Sequence, residues 1–410
     1  MIRHDWAVSM ALLATLGCSS EVPLGNGTGG SGGGSGGSSG ASGAGAFSGN
    51  AGAGGVGVAG ASGSGAFGGN AGAGGIGVAG ASGTGAFGGN AGAGGAACVP
   101  TAAGAGSLSE IATNSPGIFS VAESGDTVYF AAPHGASSGI RSVKKNGSAP
   151  AKIVAFGDLG GDQPVSIRID TSHLYWMARG TLAVSSAPYR RALSGGAVEK
   201  LDGSSMIAGT GVGLALTNSL TFVDTGNGTY YTLPKSGGAP TASYATTAGR
   251  FGGMDAASNG TDIAWVESPE PNPPSTPKHV IRKGNEKGDA AQTLVTSDFW
   301  PHGLNVDATN VYFALFGQSL NRVALTGGAP TVLYQGAVAS HVGFDANDLY
   351  FLETAGDCRT LKRVPKAGGP AVILATGLPG PASEQSNHIA VDATDVFVGT
   401  YSGSVFKISK

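Results

Sequence analysis

The sequence predicts an all-β fold: a seven-bladed β-propeller built from four-stranded meander blades, closed by its own N-terminal strand and preceded by a disordered glycine-rich linker. Three observations predict it. A phrase of the form Asp–x–x–x–apolar–aromatic recurs at blade-like spacing. A glycine turn recurs out of phase with it. The last copy lacks one strand, and a segment at the start of the domain matches what is missing.

Residues 301–336 write the unit most cleanly. A short apolar run around Leu304 and Val306 is the first strand. Asp307-Ala308-Thr309-Asn310 follows, and Asp and Asn side chains hydrogen-bond their own backbone in turns. Val311-Tyr312-Phe313-Ala314-Leu315 is rich in β-branched and aromatic residues, which suit a pleated half-buried surface. Gly317-Gln318 interrupts it, and Leu320 to Leu325 forms the third strand with apolar residues on both faces. Gly327-Gly328 supplies the positive φ of a tight reversal, and Thr331-Val332-Leu333-Tyr334 is the fourth strand.

The phrase returns at Asp170/Tyr175, Asp345/Tyr350 and Asp392/Phe397, and weaker copies put Tyr129, Thr221 and Ala264 in the aromatic slot. The seven aromatic-slot positions are spaced by roughly 38–48 residues, a propeller period. The glycine turn returns at Gly147-Ser148, Gly195-Gly196, Gly237-Gly238 and Gly368-Gly369, with Gly288 a degenerate copy. No stretch of helical period interrupts the pattern. The copy from His388 to Lys410 ends after its third strand, while Ser109–Asn114 resembles the fourth strand of the sixth copy, Val372–Gly377. Pairing that leading segment with the last three strands closes the ring.

The phrases Leu174-Tyr175-Trp176 and Val311-Tyr312-Phe313, with their Gly-Gly-Ala-Pro turns, resemble the blades of bacterial lipoprotein β-propellers related to the YWTD, NHL and TolB groups. The resemblance covers about residues 105–410. It implies the fold and says little of function, because propellers host binding modules, lyases and lactonases alike.

Residues 1–18 read as an export signal, with a polar start at Arg3 and His4 and an apolar Trp6–Leu16 run too short to span a bilayer. Thr15-Leu16-Gly17-Cys18 resembles a bacterial lipobox, with Thr where that family prefers Leu. The resemblance implies lipidation of Cys18 and a membrane lipid anchor; Ser19 after it implies the outer membrane, on its periplasmic side or at the cell surface. Plain secretory cleavage is the alternative. Residues 19–97 form a low-complexity Gly/Ala/Ser linker with a 20-residue repeat from Gly40 and no charge between Glu21 and Glu110. Such a chain cannot bury enough apolar surface to offset its conformational entropy. Its r.m.s. span is on the order of 50 Å, enough to lift a domain spanning 98–410 off a lipid surface. Phe47, Phe67 and Phe87 recur at one slot of the repeat and are candidates for self-association, against the plainer reading of a duplicated spacer.

Charge adds an exclusion. Charged residues make up 12% of the chain and its net charge is −3, so its totals carry no nucleic-acid footprint. Three cysteines are present. With Cys18 acylated, Cys98 and Cys358 remain as a disulfide candidate in an exported protein, the alternative being two thiols.

In propellers of this kind the links between blades and the loops between second and third strands share one face, the loop-rich one. Sorting histidines by this rule places His302, His341 and His388 at that mouth of the central channel, with Asp255 in the equivalent slot of the fourth copy. Imidazole and carboxylate suit zinc or a similar divalent ion, so these four are the candidate metal ligands; polar mouth residues facing water are the alternative. The repeated Asp170, Asp307, Asp345 and Asp392 read as turn caps rather than catalytic acids. The insertion from Glu267 to Pro277, with Glu270, is a candidate ligand-face loop, joined by Trp300, Phe299 and Phe316 as a grip for a protein, peptide or saccharide. No P-loop, G-x-S-x-G elbow or H-E-x-x-H motif is present. The sequence therefore points first to a monomeric, tethered binding module, and second to a metal-assisted lyase or hydrolase.

Overall fold

A computed structural model describes residues 98–410 except 105, 114, 116, 133–137, 149, 160–162, 180–185, 202–212, 225–227, 247–249, 270–277, 290, 339–341, 381–388 and 401. The signal, Cys18, the linker, His341, His388 and Glu270 therefore lie outside the described residues.

Seven antiparallel sheets follow one another along the chain. Blades 1 to 5 begin with inner strands Ser120–Ser124, Gln163–Ile169, Leu214–Leu216, Arg250–Ser258 and Pro301–Val306. Blades 6 and 7 begin with Gly343–Phe344 and Ile389–Val391. Each chain segment then meanders outward through successive strands of its own sheet. Among the described residues the one helical element is a single 3-10 turn, Phe156–Leu159.

Buried apolar residues form seven clusters, one in each gap between neighbouring blades. Ala257, Val266 and Ile281 of blade 4 meet Leu304, Val311 and Phe313 of blade 5. Tyr350, Leu352 and Leu361 of blade 6 meet Ile389, Val396 and Val398 of blade 7. The core is thus a ring of seams, because each two-sided sheet must bury both faces against its neighbours. The glycine turns behave as the sequence predicts: Gly327 and Gly328 have φ of 87° and 122°, and the degenerate copy Gly288 has φ of 74°.

The ring is closed by Leu108–Ala112, which pairs with Val405–Ser409 as the outer strand of blade 7. One strand was not foreseen. Thr101–Ala102 pairs with Thr376 and Ala375 as a fifth strand on blade 6. Gly377 makes room for its approach: a Cβ there would sit 2.1 Å from the Val99 carbonyl oxygen, and its φ of 67° lies in the left-handed region. Just ahead of this strand, Cys98 is bonded to Cys358, with Cα atoms 5.6 Å apart. The bond ties the start of the domain to blade 6, and the chain then crosses to close blade 7.

Candidate functional site

The repeated aspartates build the turn face. Asp307 Oδ1 accepts from the amides of Thr309 and Asn310, both at 2.9 Å. Its Oδ2 accepts from the Tyr312 hydroxyl at 2.8 Å and from Lys366 of the next blade at 3.2 Å. Asp345 repeats the arrangement with Tyr350 and Lys410, and Asp170 with Tyr175 and Lys235. In blade 7 Phe397 replaces the tyrosine, Lys145 of blade 1 reaches Asp392 at 2.5 Å, and its ammonium lies 5.2 Å from the Phe397 ring. Burial alone would raise these carboxyls. The turn amides, the phenols and the neighbouring ammonium groups outweigh it, holding Asp307 and Asp392 at about 2 and Asp170 and Asp345 lower still. The matching tyrosines are pushed well above the ordinary phenol range, first by burial and then by the adjacent carboxylate. These acids are turn caps and inter-blade latches.

The remaining three seams vary both partners together. In blade 3 the turn residue is Thr217, and Glu286 of blade 4 supplies the carboxylate from across the seam, accepting from the amides of Asn218 and Ser219 and from the Thr217 hydroxyl. In blade 4 the turn residue is Asn259, which caps Thr261 and Asp262, and the facing slot of blade 5 is the apolar Leu325. In blade 1 it is Ser124, facing Leu193 of blade 2, which packs into the seam.

The central channel is lined by the inner strands. A cavity of about 360 Å³ includes Glu123, Arg168, Leu216, Leu304, Asn305 and Phe344 in its wall. A vestibule of about 560 Å³ at the turn face shares Ile169, Leu216, Ser258 and Phe344 with it. Two positions before each turn residue, six blades carry Ala122, Ala215, Ala257, Asn305, Gly343 and Ala390, and blade 2 carries Arg168. The guanidinium donates to the Ile167 carbonyl at 2.9 Å and across to the Ala256 carbonyl of blade 4 at 3.4 Å. Burial lowers the proton affinity of Arg168, and the charge of Asp255 opposes that shift. Ser166, two residues earlier, has φ of 48°, and the pairing register slips between Val165 and Arg168. A non-glycine residue in that conformation is strained and marks a place to look for function.

Of the candidate metal ligands, Asp255 and His302 are described, and the fold places them on neighbouring inner strands, both buried. Asp255 Oδ2 accepts from the Leu304 amide at 2.8 Å, and the His302 ring lies 5.5 Å from that of Phe316. Among the described residues no three His, Cys, Asp or Glu side chains are grouped to hold a metal ion. Glu267 is not on a loop. It lies within the second strand of blade 4, Ile263–Pro269, and is fully buried, with Arg282 Nε donating to it at 3.0 Å and Trp265 Nε1 at 3.2 Å. The strand runs on through Glu267 because those donors offset the cost of burying a carboxylate. Trp300 lies in the link from blade 4 to blade 5, stacked on His279 with ring centroids 6.4 Å apart; Phe299 beside it is 48% exposed. The Phe316 amide donates to the Trp300 carbonyl at 3.2 Å, which brings these two residues together at the blade 4–5 boundary.

No protein-family model matches the chain, and no curated protein matches it by sequence. Among solved structures it is similar to virginiamycin B lyase from Staphylococcus aureus, at 13% identity and a TM-score of 0.58, covering 74% of this chain and 99% of that one. A streptogramin B lyase matches with the same identity and TM-score, covering 74% and 97%. A puromycin-hydrolyzing peptidase from Mycobacterium tuberculosis matches at 15% identity and a TM-score of 0.51, covering 68% of this chain and 48% of that one. Such identities show the fold alone.

Proposed function

We propose that the chain is an exported lipoprotein, anchored through Cys18 on a glycine-rich leash, whose propeller binds a protein, peptide or saccharide through its loop-rich face. The observation that carries the binding reading is the aromatic group of Phe299, Trp300, His279 and Phe316 at the boundary of blades 4 and 5. Aromatic side chains held on a rigid scaffold are the usual anchors of recognition surfaces. The scaffold is rigid here because the seams are packed and cross-latched.

Two measurements test it. Radiolabelled palmitate should enter the wild-type chain and not Cys18→Ala; equal labelling would remove the anchor. Trp176 and Trp265 are buried, whereas Trp300 is partly exposed, so Trp300 emission reports on that face. In titrations with envelope oligosaccharides and peptides, a saturable emission change that Trp300→Phe abolishes supports the reading. A saturable ligand that binds Phe299→Ala and Trp300→Ala as well as wild type places recognition elsewhere.

The second reading is a metal-assisted lyase or hydrolase at the channel mouth, motivated by the adjacent inner-strand positions of Asp255 and His302. Purified chain without bound divalent ion, and indifferent to replacement of His341 and His388 by alanine, would remove it.

A further inference from the structure

Among the described residues of the channel wall, Arg168 breaks the pattern that the other blades keep. Its slot is filled by alanine, glycine or asparagine in the other six blades, so the blade architecture is met by a small side chain there. A guanidinium drawn out of bulk water costs free energy unless partners replace the water. Two carbonyls do so in part, at 2.9 and 3.4 Å, but a guanidinium carries five N–H donors in a planar fork suited to a carboxylate.

The surroundings narrow the ligand. Glu123 is held by Lys145, Asp170 by Lys235 and Asp307 by Lys366, so these acids on the cavity walls have their own cations. Asp255 is the acid whose charge acts on Arg168, which leaves the site suited to one negative charge rather than two. The adjoining vestibule offers Ile169, Leu216, Val306 and Phe344 as apolar wall. Polar side chains, among them Thr217, Lys235 and Asn259, share that wall, and a cation beside a partly apolar wall is the arrangement of a pocket for an amphipathic small molecule.

We propose that the channel binds a small carboxylic acid with an apolar body, its carboxylate on Arg168 and its body in the vestibule beside Phe344. This site lies at the end of the channel opposite the loop-rich face, so either proposal can fail without the other.

Calorimetric titration of the mature chain with phenylacetate, phenylacetamide and inorganic phosphate tests it. The acid is expected to bind. The amide, the same shape without the charge, is expected to bind at least about tenfold more weakly, since charge-assisted hydrogen bonds are lost. Phosphate is expected not to compete. Arg168→Ala, the residue most blades carry, should weaken the acid about tenfold or more. Asp255→Asn should tighten it, a change that misfolding cannot imitate. Arg168→Lys keeps the charge without the fork and should fall between wild type and Arg168→Ala. No acid binding by wild type, equal binding of acid and amide, competition by phosphate, or an Arg168→Ala chain that binds the acid unchanged would each overturn the proposal.

Discussion

The two sides of blade 5 differ in what crosses the seam. On the side facing blade 6, Asp307 meets Lys366 across the seam with a carboxylate–ammonium contact of 3.2 Å. On the side facing blade 4, the same two slots hold Asn259 and Leu325. The turn cap survives the change: Asn259 Oδ1 accepts from two turn amides just as Asp307 Oδ1 does. The inter-blade charge and the ammonium disappear together, and a neutral bond takes their place: Asn259 Nδ2 donates to the Asp307 carbonyl of blade 5 at 2.9 Å. An unpartnered carboxylate or ammonium in a partly buried seam would cost more than either neutral choice, so both members of the pair change together. At the seam of blades 3 and 4 the carboxylate comes from the other side, and Glu286 reaches back to cap a turn whose own residue is the neutral Thr217. The latch is therefore a property of the seam, not of the blade.

Covalent closure sets the upper end of the scale on which these seams can be ranked. Replacing Cys98 and Cys358 by serine releases the fifth strand of blade 6 and opens a loop spanning 260 residues. A loss of roughly 2–5 kcal/mol is expected, because the unfolded chain regains loop entropy. Urea unfolding of the oxidised wild type and the double-serine chain measures it. A loss much smaller than that of a single latch would mean that strand pairing at Thr101–Ala102 and Leu108–Ala112 alone closes the ring.

Next in size is the comparison itself. Asp307→Ala removes the partner of two amides, a phenol and an ammonium, and should cost about 2–4 kcal/mol. Asn259→Ala removes the same two turn caps and one neutral bond to the Asp307 carbonyl but no ion pair, and should cost about 1–2 kcal/mol. Equal losses would show that the latch contributes nothing beyond the cap.

Much of this architecture was legible in the chain. The period, the glycine turns and the capping role of the aspartates each have a local signature, a run of residues in contact within one blade, and the closing segment is legible through its likeness to Val372–Gly377. The lysines have no such signature. Lys366 is 59 residues from Asp307, and Lys145 is 247 residues from Asp392. Nothing near either residue in sequence reports the pair, although aligning the slots before the glycine turns, Lys235, Glu286, Leu325 and Lys366, would have exposed it. Thr101–Ala102 is too short to show an alternating pattern, and its one signal is Gly377 against Val99. Glu267 was read as loop because prolines follow it closely, whereas Arg282 and Trp265 draw it into the strand. Of the site, Asp255 and His302 lie on neighbouring inner strands and are buried, and Trp300 lies in the link between blades 4 and 5. Arg168 was missed because its meaning appears only when seven equivalent slots are laid side by side.

Transplanting one seam onto the other sharpens the contrast. Asp307→Asn with Lys366→Leu rewrites the seam of blades 5 and 6 in the language of blades 4 and 5. Each single change leaves a charge without its partner. The double change should cost less than the sum of the singles, with a coupling of about 1–2 kcal/mol. Strict additivity would mean that the two side chains do not act as a pair.

The smallest effect is the pH dependence, and its sign follows from the folded-state carboxyls. Asp307 and Asp392 are held at about 2, and Asp170 and Asp345 lower still, against 3.8 for an ordinary aspartate. A depressed folded value means that the stabilising contribution is complete above the unfolded pKa and is lost as pH falls toward the folded one. Melting temperature should therefore be insensitive to these groups above about pH 5 and should decline progressively from about pH 4 downward. The Asp307→Asn, Lys366→Leu chain has one such carboxyl fewer, so its decline should be shallower, while the profile of Asn259→Ala should run parallel to wild type. Identical acid slopes for wild type and the transplanted seam would show that the latch at Asp307 does not stay ionised because of its fold.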